Sequence, residues 1–193
     1  MNLPNILTVG RILVTPLFII LLFYDHPYAR SWALFIFVAA MLTDIFDGYY
    51  ARKYNLVTDY GRFLDPLADK IMVLSALISF AVMNVIPYWM VSLIIFRDVF
   101  ITGLRMAMSS KNKTMVTSKI AKRKTLSQVL IIIFILFNIG FNSLSISWIG
   151  EMILFSRQYE LIYYLTLLVT AFTLFTGFTY LYTNRSVIRQ FIS

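Results

Sequence analysis

The sequence predicts an all-α fold, a polytopic membrane bundle of six transmembrane helices with both termini on the cytoplasmic side. Of its 193 residues, 60% are hydrophobic and only 13% are charged, and the mean hydropathy is +0.78. A water-soluble fold of this length would lack the polar side chains to cover its surface. The apolar residues form runs close to the roughly 20 residues that a helix needs to cross about 30 Å of hydrocarbon.

Six apolar runs are separated by polar breaks, and each is expected to form one membrane-spanning helix. They cover approximately Ile6 to Phe23, Trp32 to Arg52, Gly61 to Met83, Tyr88 to Met108, Leu126 to Phe141 and Leu161 to Tyr182. No internal repeat and no soluble domain is visible, so residues 1–193 are predicted to form one integral membrane domain. The segment 142–160 has a mixed composition, and the sequence assigns it no role.

The orientation follows from the basic residues, which lie mostly in alternate connections and give a formal charge of +8. The second-to-third connection, the fourth-to-fifth connection and the tail carry Arg52, Lys53, Lys111, Lys113, Lys119, Lys122, Arg123, Lys124, Arg185 and Arg189, whereas the opposite connections carry only Arg30 and Arg157. The positive-inside rule therefore places both termini in the cytoplasm. Nucleic acid is not expected as a partner, because no soluble basic and aromatic module surrounds these residues.

Two features that would change the prediction are missing from the sequence. The segment Met1 to Leu7 lacks the cationic region and the small-residue cleavage site of a secretory signal, so the first helix is expected to stay as an anchor. The sequence contains no cysteine, which excludes disulfides and thiolate ligands. Any bound metal must therefore be held by oxygen ligands.

The acidic residues are concentrated in segments that are otherwise apolar. Six of the nine lie between the second and fourth helices, namely Asp44, Asp47, Asp59, Asp65, Asp69 and Asp98. A single ionised aspartate at the centre of a membrane helix costs about 2.5 to 3.5 kcal/mol. The cluster therefore predicts a polar cavity, a bound cation or both.

Two groups of aspartates have the spacing of a helix face. The second helix carries a stripe at positions i, i+3, i+4 and i+7, formed by Asp44, Asp47, Gly48 and Ala51. Asp65 and Asp69 lie one turn apart near the start of the third helix. Four converging carboxylates select hard divalent cations such as magnesium, as one ion or two. Such sites commonly serve phosphate chemistry, because the cations neutralise phosphate oxygens.

Eight positions then match the signature of a known family. Asp44, Asp47, Gly48, Ala51, Arg52, Gly61, Asp65 and Asp69 reproduce the pattern DxxDGxxAR, eight residues, GxxxDxxxD, by which the sequence resembles the CDP-alcohol phosphotransferase family. The resemblance implies a homodimer in the bacterial cytoplasmic membrane, with an active site that faces the cytoplasm. It implies two divalent ions, Mg²⁺ or Mn²⁺, on the four aspartates, with Asp69 as the general base. The CDP-lipid would be held by Asn5, Thr8, Arg11, Asp44, Gly48, Ala51, Arg52 and Gly61.

Three further segments resemble the members of this family that use sn-glycerol 3-phosphate. They are Asn2 to Arg11 (NLPNILTVGR), the Arg97-Asp98 pair with Arg105, and the segment with Lys122, Lys124 and Thr125. The resemblance implies phosphatidyl transfer from CDP-diacylglycerol to sn-glycerol 3-phosphate, which gives phosphatidylglycerophosphate and CMP. The acceptor phosphate would be bound by Arg97, Arg105, Lys122 and Lys124. A structural pairing of Arg97 with Asp98 or Asp47 remains an alternative, as does a purely lipid-facing role for the basic run Lys119 to Lys124.

The residues leave three other functions open. A sibling enzyme would use inositol phosphate, serine or phosphatidylglycerol as acceptor, although the four basic residues favour a phosphorylated one. An intramembrane prenyltransferase also uses two aspartate-rich segments and magnesium, but with different aspartate spacing and helix number. A transporter with a carboxylate site would typically show paired repeats and broken helices, and neither is visible here.

Overall fold

The computed structural model describes residues 3–53, 59–109, 119–142 and 147–192. Within them, side chains are described for residues 10–43, 70–108, 123–142 and 147–189. These residues form eight helices. Six are long, α1 (Leu3–Phe23), α2 (Ala29–Lys53), α3 (Asp59–Val82), α4 (Tyr88–Ser109), α5 (Lys119–Gly140) and α7 (Leu161–Thr183), and two are short, α6 (Ser147–Gln158) and α8 (Arg185–Ile192). No strand occurs in these ranges, so the all-α prediction is confirmed for them.

The long helices lie close to their predicted positions, and the largest difference is at the start of α5. This helix begins at Lys119 instead of Leu126, because the basic residues that were assigned to a connection form its first turns. Lysine, arginine and alanine are good helix formers. The short helices α6 and α8, of 12 and 8 residues, were not predicted. At about 1.5 Å per residue, neither can cross a bilayer.

The apolar core lies where α1, α2, α3 and α5 meet. Its fully buried side chains include Phe18 of α1, Phe37 of α2, Phe80 of α3 and Leu136 of α5. Helix α1 packs on α2 and α3, and α5 packs on α2, α3 and α7. Helix α4 closes the bundle by packing between α3 and α7. In a membrane the lipid around the helices is also apolar, so these side chains hold the bundle together mainly through close packing, in which each pair of touching atoms contributes about 0.1 to 0.2 kcal/mol.

The surface of the bundle is apolar, whereas part of its interior is polar. Leu13, Phe96, Leu168 and Phe178 are 64 to 73% exposed. Buried polar residues occur on α4, α5 and α7, and include Asp98, Lys124, Gln128, Thr166, Thr170, Thr173 and Thr176. Among the residues with described side chains, two stretches are long and apolar enough to cross a membrane, Arg123–Gly140 and Leu161–Thr183. Shorter apolar stretches occur in α1, α2 and α3.

Exposed tyrosine and tryptophan side chains surround one end of the bundle, and we call this group the aromatic ring. It lies where α1, α3 and α5 end and where α2, α4 and α7 begin, and it has members at both ends of α6. Its members are Tyr24, Tyr28, Trp32, Tyr88, Trp89, Trp148, Tyr159, Tyr163 and Tyr164. At the same end, Ser31 Oγ donates a 2.8 Å hydrogen bond to the Gly140 carbonyl. A Cβ on Gly140 would lie 3.2 Å from backbone atoms of Arg30 and Ser31, so glycine permits this close contact of α2 with α5.

Candidate active site

The signature residues lie on two continuous helices. Helix α2 runs without a break to Lys53 and therefore carries Asp44, Asp47, Gly48, Ala51 and Arg52 in its second half. Helix α3 starts at Asp59 and carries Gly61, Asp65 and Asp69 in its first three turns. The side chains of these residues lie outside the described set. The helical backbone nevertheless gives each aspartate pair the one-face spacing on which the metal-site prediction depends.

The donor set on α2 and α3 suits a divalent cation of the magnesium type. All four predicted ligands are carboxylates, and hard cations prefer oxygen ligands. Among the side chains that the structure describes, no group of three or more histidine, cysteine, aspartate or glutamate residues could form a competing site. The four signature aspartates therefore stay the predicted metal ligands.

A groove lies between α1 and α2, next to the signature. It has a volume of about 360 Å³ and is lined by Gly10, Arg11, Val14, Leu17, Ile36, Ala39, Ala40 and Thr43. Ala40 lies one turn before Asp44 on the same face of α2, and Thr43 precedes Asp47 in the same way. Arg11, a predicted CDP-lipid residue, is buried beside the groove. The side chains of Asn5 and Thr8, also predicted for this lipid, lie outside the described set.

A buried ionic cluster joins α3, α4, α5 and α7. Its centre is Asp98, which is 2% exposed. Arg97 Nη1 lies 3.1 Å from Asp98 Oδ1, and Lys124 Nζ forms an ion pair with Asp98 Oδ2. The structural pairing of Arg97 with Asp98, one of the alternatives from the sequence, is therefore present. The amide of Gln128 lies 3.5 Å from Asp98 Oδ2.

Lys70 and Thr176 connect the ionic cluster to the neighbouring helices. Lys70 Nζ donates a 3.0 Å hydrogen bond to the backbone carbonyl of Asp98, and it also donates to Thr102 Oγ1. From the other side, Arg97 Nη2 donates to Thr176 Oγ1 of α7 at 3.1 Å. Lys70 directly follows Asp69, so the cluster holds α3 against α4 at the position of the predicted general base.

The four predicted acceptor-binding residues do not all lie together in the structure. Arg97 and Lys124 come together at Asp98. Arg105 is exposed two turns further along α4, and its Cζ lies 5.8 Å from the centre of the Tyr180 ring. Lys122 lies in the first turn of α5, and its side chain is outside the described set. The acceptor role of all four remains a prediction.

Sequence reasoning did not find Lys70, Gln128 and Thr176 as members of the cluster. An isolated lysine in an apolar stretch was a usable signal for Lys70, because intramembrane charges are mostly functional. Thr176 belongs to a run of buried threonines at helical spacing on α7, namely Thr166, Thr170, Thr173 and Thr176. That spacing indicates a polar face toward the interior, but only the fold shows that it meets Arg97.

Long helices with an apolar surface, a buried ionic cluster and two aspartate pairs next to a groove are the features expected of a membrane enzyme that acts on a charged substrate. The chain belongs to the CDP-alcohol phosphatidyltransferase family, whose sequence model matches residues 1–176. It is therefore an enzyme of this family.

Individual relatives are similar over most of the chain. The CDP-diacylglycerol--glycerol-3-phosphate 3-phosphatidyltransferase of Bacillus subtilis is 38% identical over 157 residues, 75% of this chain and 81% of the relative. The protein of the same name from Rickettsia bellii is 36% identical over 181 residues, 93% of each chain. The one from Cereibacter sphaeroides is 38% identical over 147 residues, 74% of this chain and 66% of the relative.

Proposed function

We propose that this enzyme transfers the phosphatidyl group of CDP-diacylglycerol to sn-glycerol 3-phosphate and releases CMP. The observation that carries the proposal is the similarity to relatives of that activity, which at 36% identity extends over 93% of the chain. It includes both signature helices and the helices of the ionic cluster. The product is phosphatidylglycerophosphate.

In this proposal, Asp69 accepts the proton from a hydroxyl group of sn-glycerol 3-phosphate. The hydroxyl oxygen then forms a bond to the lipid-side phosphorus of the diphosphate, and the bond from that phosphorus to the CMP oxygen breaks. Two divalent ions, Mg²⁺ or Mn²⁺, held by Asp44, Asp47, Asp65 and Asp69, would neutralise the diphosphate when bound. Gly48, Ala51 and Gly61, which have small side chains, leave space for the CDP group, and Arg52 contributes positive charge.

The lengths of the six long helices and the position of the aromatic ring support a six-span topology. Helices α1, α2, α3, α4, α5 and α7 contain 21 to 25 residues, or roughly 31 to 38 Å at 1.5 Å per residue. Each is therefore long enough to cross about 30 Å of hydrocarbon. The aromatic ring lies at the end with few basic residues, as expected for an outer interface. We therefore propose that both termini and the active site face the cytoplasm of a bacterial cell.

A second copy of this chain is the proposed partner. The exposed face of α4 carries Trp89, Leu93, Phe96, Phe100 and Gly103, at alternating spacings of four and three residues. Helices that pack side by side through interlocking side chains show this spacing. The family resemblance implies a homodimer, and this stripe is a suitable contact surface within the described part of the chain.

The groove between α1 and α2 is proposed to hold part of a fatty acyl chain of CDP-diacylglycerol. From Ile36 to Thr43 it extends about 10 Å along α2. Its lining is almost entirely apolar, and it continues the α2 face that carries Asp44. Leu17 and Ala39 are exposed, so the groove opens on the outside of the bundle, where lipid would enter. Arg11, beside the groove, is positioned to attract the lipid phosphates.

Ala40→Leu is expected to raise the apparent KM for long-chain CDP-diacylglycerol about tenfold. The larger side chain would fill part of the groove and remove about ten atom contacts with the acyl chain, each worth about 0.1 to 0.2 kcal/mol. The measurement is steady-state kinetics in mixed micelles, with the lipid given as mole fraction. A short-chain CDP-lipid should be used equally well by both proteins. Ala171→Leu, at an exposed position on α7, is the matched control, and the same KM increase in that variant would contradict the groove assignment.

The direct test of the proposed function is acceptor-dependent release of CMP. Purified protein with CDP-diacylglycerol and Mg²⁺ should release CMP with sn-glycerol 3-phosphate, and the lipid product should contain a second phosphate. Reactions without acceptor measure simple hydrolysis. Chelation of the metal should abolish turnover, and added Mg²⁺ should restore it, because the clustered carboxylates need a cation. Equal or faster turnover with inositol phosphate, serine or phosphatidylglycerol would contradict the acceptor assignment.

A further inference from the structure

Asp98 is the only carboxylate in the ionic cluster among the described side chains, and its contacts use both oxygens. Oδ1 pairs with Arg97 on α4, and Oδ2 pairs with Lys124 on α5 and lies near the Gln128 amide. The backbone carbonyl of the same residue accepts the hydrogen bond from Lys70 on α3. One residue therefore orients three cationic side chains on three helices.

The ionic cluster also contains a buried hydrogen-bond donor that has no partner among the described residues. The Arg97 side chain is 10% exposed, and its Nε is buried without a hydrogen-bond partner in the described part of the structure. Two buried hydroxyl groups on the adjacent face of α7, Thr173 Oγ1 and Tyr180 OH, also have no partner there. Buried polar atoms are almost always paired, so a group of orphan atoms points to water or to a polar ligand.

Helix α7 leaves space for Arg97 at this position. A Cβ on Gly177 would lie 3.0 Å from both Cγ and Nε of Arg97, closer than side-chain contacts normally allow. Gly177 therefore lets the Arg97 side chain pack closely against α7, with Nη2 bonded to Thr176. The orphan Nε lies on this seam, one turn of α7 away from both Thr173 and Tyr180.

We infer that Asp98 is a positioning residue of the acceptor site: its carboxylate holds Arg97 and Lys124 in the orientation in which they bind the acceptor phosphate. The inference rests on the proposed function, because it takes sn-glycerol 3-phosphate as the acceptor. Arginine and lysine have long side chains with many rotamers, and a site that fixes them in advance loses less entropy on binding. A buried carboxylate achieves this and also offsets the cost of burying two like charges.

The same residue connects the acceptor site to the predicted general base. Lys70 follows Asp69 directly in α3 and is bonded to the Asp98 carbonyl and to Thr102 on α4. The α3 backbone at Asp69 is thus held against the turn of α4 that carries Arg97 and Asp98. An acceptor whose phosphate is bound at Arg97 and Lys124 would therefore lie close to the turn of α3 that carries Asp69 and Lys70.

The test is a comparison of KM values for the two substrates in the full-length protein. In Asp98→Asn, the apparent KM for sn-glycerol 3-phosphate should rise about tenfold to a hundredfold, as expected when a supporting partner of a binding residue is lost. The KM for CDP-diacylglycerol should change less than about twofold, because Asp98 touches no part of the predicted lipid site. Asp98→Glu, which retains the charge, should recover part of the acceptor affinity.

Two further variants separate positioning from stability. Ser31→Ala removes the buried hydrogen bond to the Gly140 carbonyl that joins α2 and α5 at the aromatic end of the bundle, far from the cluster, and should lower the Tm while leaving both KM values unchanged. The double variant Asp98→Asn/Lys124→Gln removes both charges, which should restore the Tm relative to Asp98→Asn but not the acceptor KM.

The outcomes distinguish this inference from the proposed function. Equal increases of both KM values in Asp98→Asn, or a change in Tm alone, would overturn the positioning role while wild-type activity with sn-glycerol 3-phosphate stands. A wild-type KM for the acceptor in the double variant would overturn it as well. Wild-type protein that does not use sn-glycerol 3-phosphate would instead overturn the proposed function.

Discussion

Asp69→Asn is expected to lose turnover by a factor of about 10² to 10⁴ while CDP-diacylglycerol binding stays measurable. The amide can occupy a ligand position, but it cannot accept the proton of the attacking hydroxyl group. Turnover is measured as CMP release under saturating substrates, and lipid binding is measured separately by equilibrium titration. Asp44→Asn should behave differently and weaken metal and nucleotide binding together, because Asp44 is assigned both to the metal ions and to the CDP group.

Asp25→Asn is the matched control for this series. Asp25 is an exposed aspartate in the connection between α1 and α2, at the end of the bundle that is opposite the signature. Its replacement changes the formal charge equally, and it should leave turnover unchanged. Turnover at the wild-type level in Asp69→Asn would remove Asp69 from the role of general base.

Loss of a cation at the cytoplasmic end should raise the KM for the acceptor selectively. Arg105→Ala and Lys122→Ala are each expected to raise the apparent KM for sn-glycerol 3-phosphate roughly 30-fold. This factor corresponds to a loss of about 2 kcal/mol of binding free energy. The acceptor carries nearly two negative charges and approaches a site that already contains a diphosphate, so cations are needed to overcome repulsion. Steady-state kinetics with each substrate varied in turn measure the effect.

Arg157→Ala provides the comparison for the acceptor variants. Arg157 is an exposed arginine on α6 at the aromatic end, where its Nη2 donates to Asn142 Oδ1 at 2.9 Å. Its removal should affect neither KM. The acceptor assignment of Arg105 and Lys122 would fail if their variants raised the KM for CDP-diacylglycerol as much as that for sn-glycerol 3-phosphate.

The helices were predictable where a long apolar run provided the signal. The start of α5 was not, because its first turns are basic and resemble a connection, although Lys124 is buried against Asp98. Helix α6 was missed for a similar reason. Its 12 residues mix Glu151 and Arg157 with exposed aromatic side chains, and only Ile149, Ile153 and Ser156 are buried. Short amphipathic helices give a weak signal next to membrane-spanning runs.

The candidate site was predictable to the extent that its residues are close in sequence. Fixed spacing identified the aspartate pairs, and adjacency suggested the Arg97 and Asp98 pair. Contacts between distant helices were not predictable, because no periodicity relates Lys70 to the Asp98 carbonyl or Thr176 to Arg97. Similarly, nothing in the sequence around Gly177 indicates that a missing Cβ makes room for an arginine from α4.

The position of the aromatic ring, taken with the proposed topology, gives the depth in the membrane at which the reaction would take place. In the proposed topology it fixes the outer boundary of the hydrocarbon, and Asp44 lies about 18 Å further along α2 than Trp32. In a layer of about 30 Å, the carboxylates are therefore submerged below the cytoplasmic surface. Along α4, Arg105 lies about 24 Å from Trp89, whereas Arg97 lies only about 12 Å from it. In the proposed topology, Arg105 is therefore near the cytoplasmic surface and Arg97 is nearer the centre of the bilayer. In this topology, the water-soluble acceptor would enter the bilayer to reach the reactive phosphorus, and the lipid would not have to leave the bilayer.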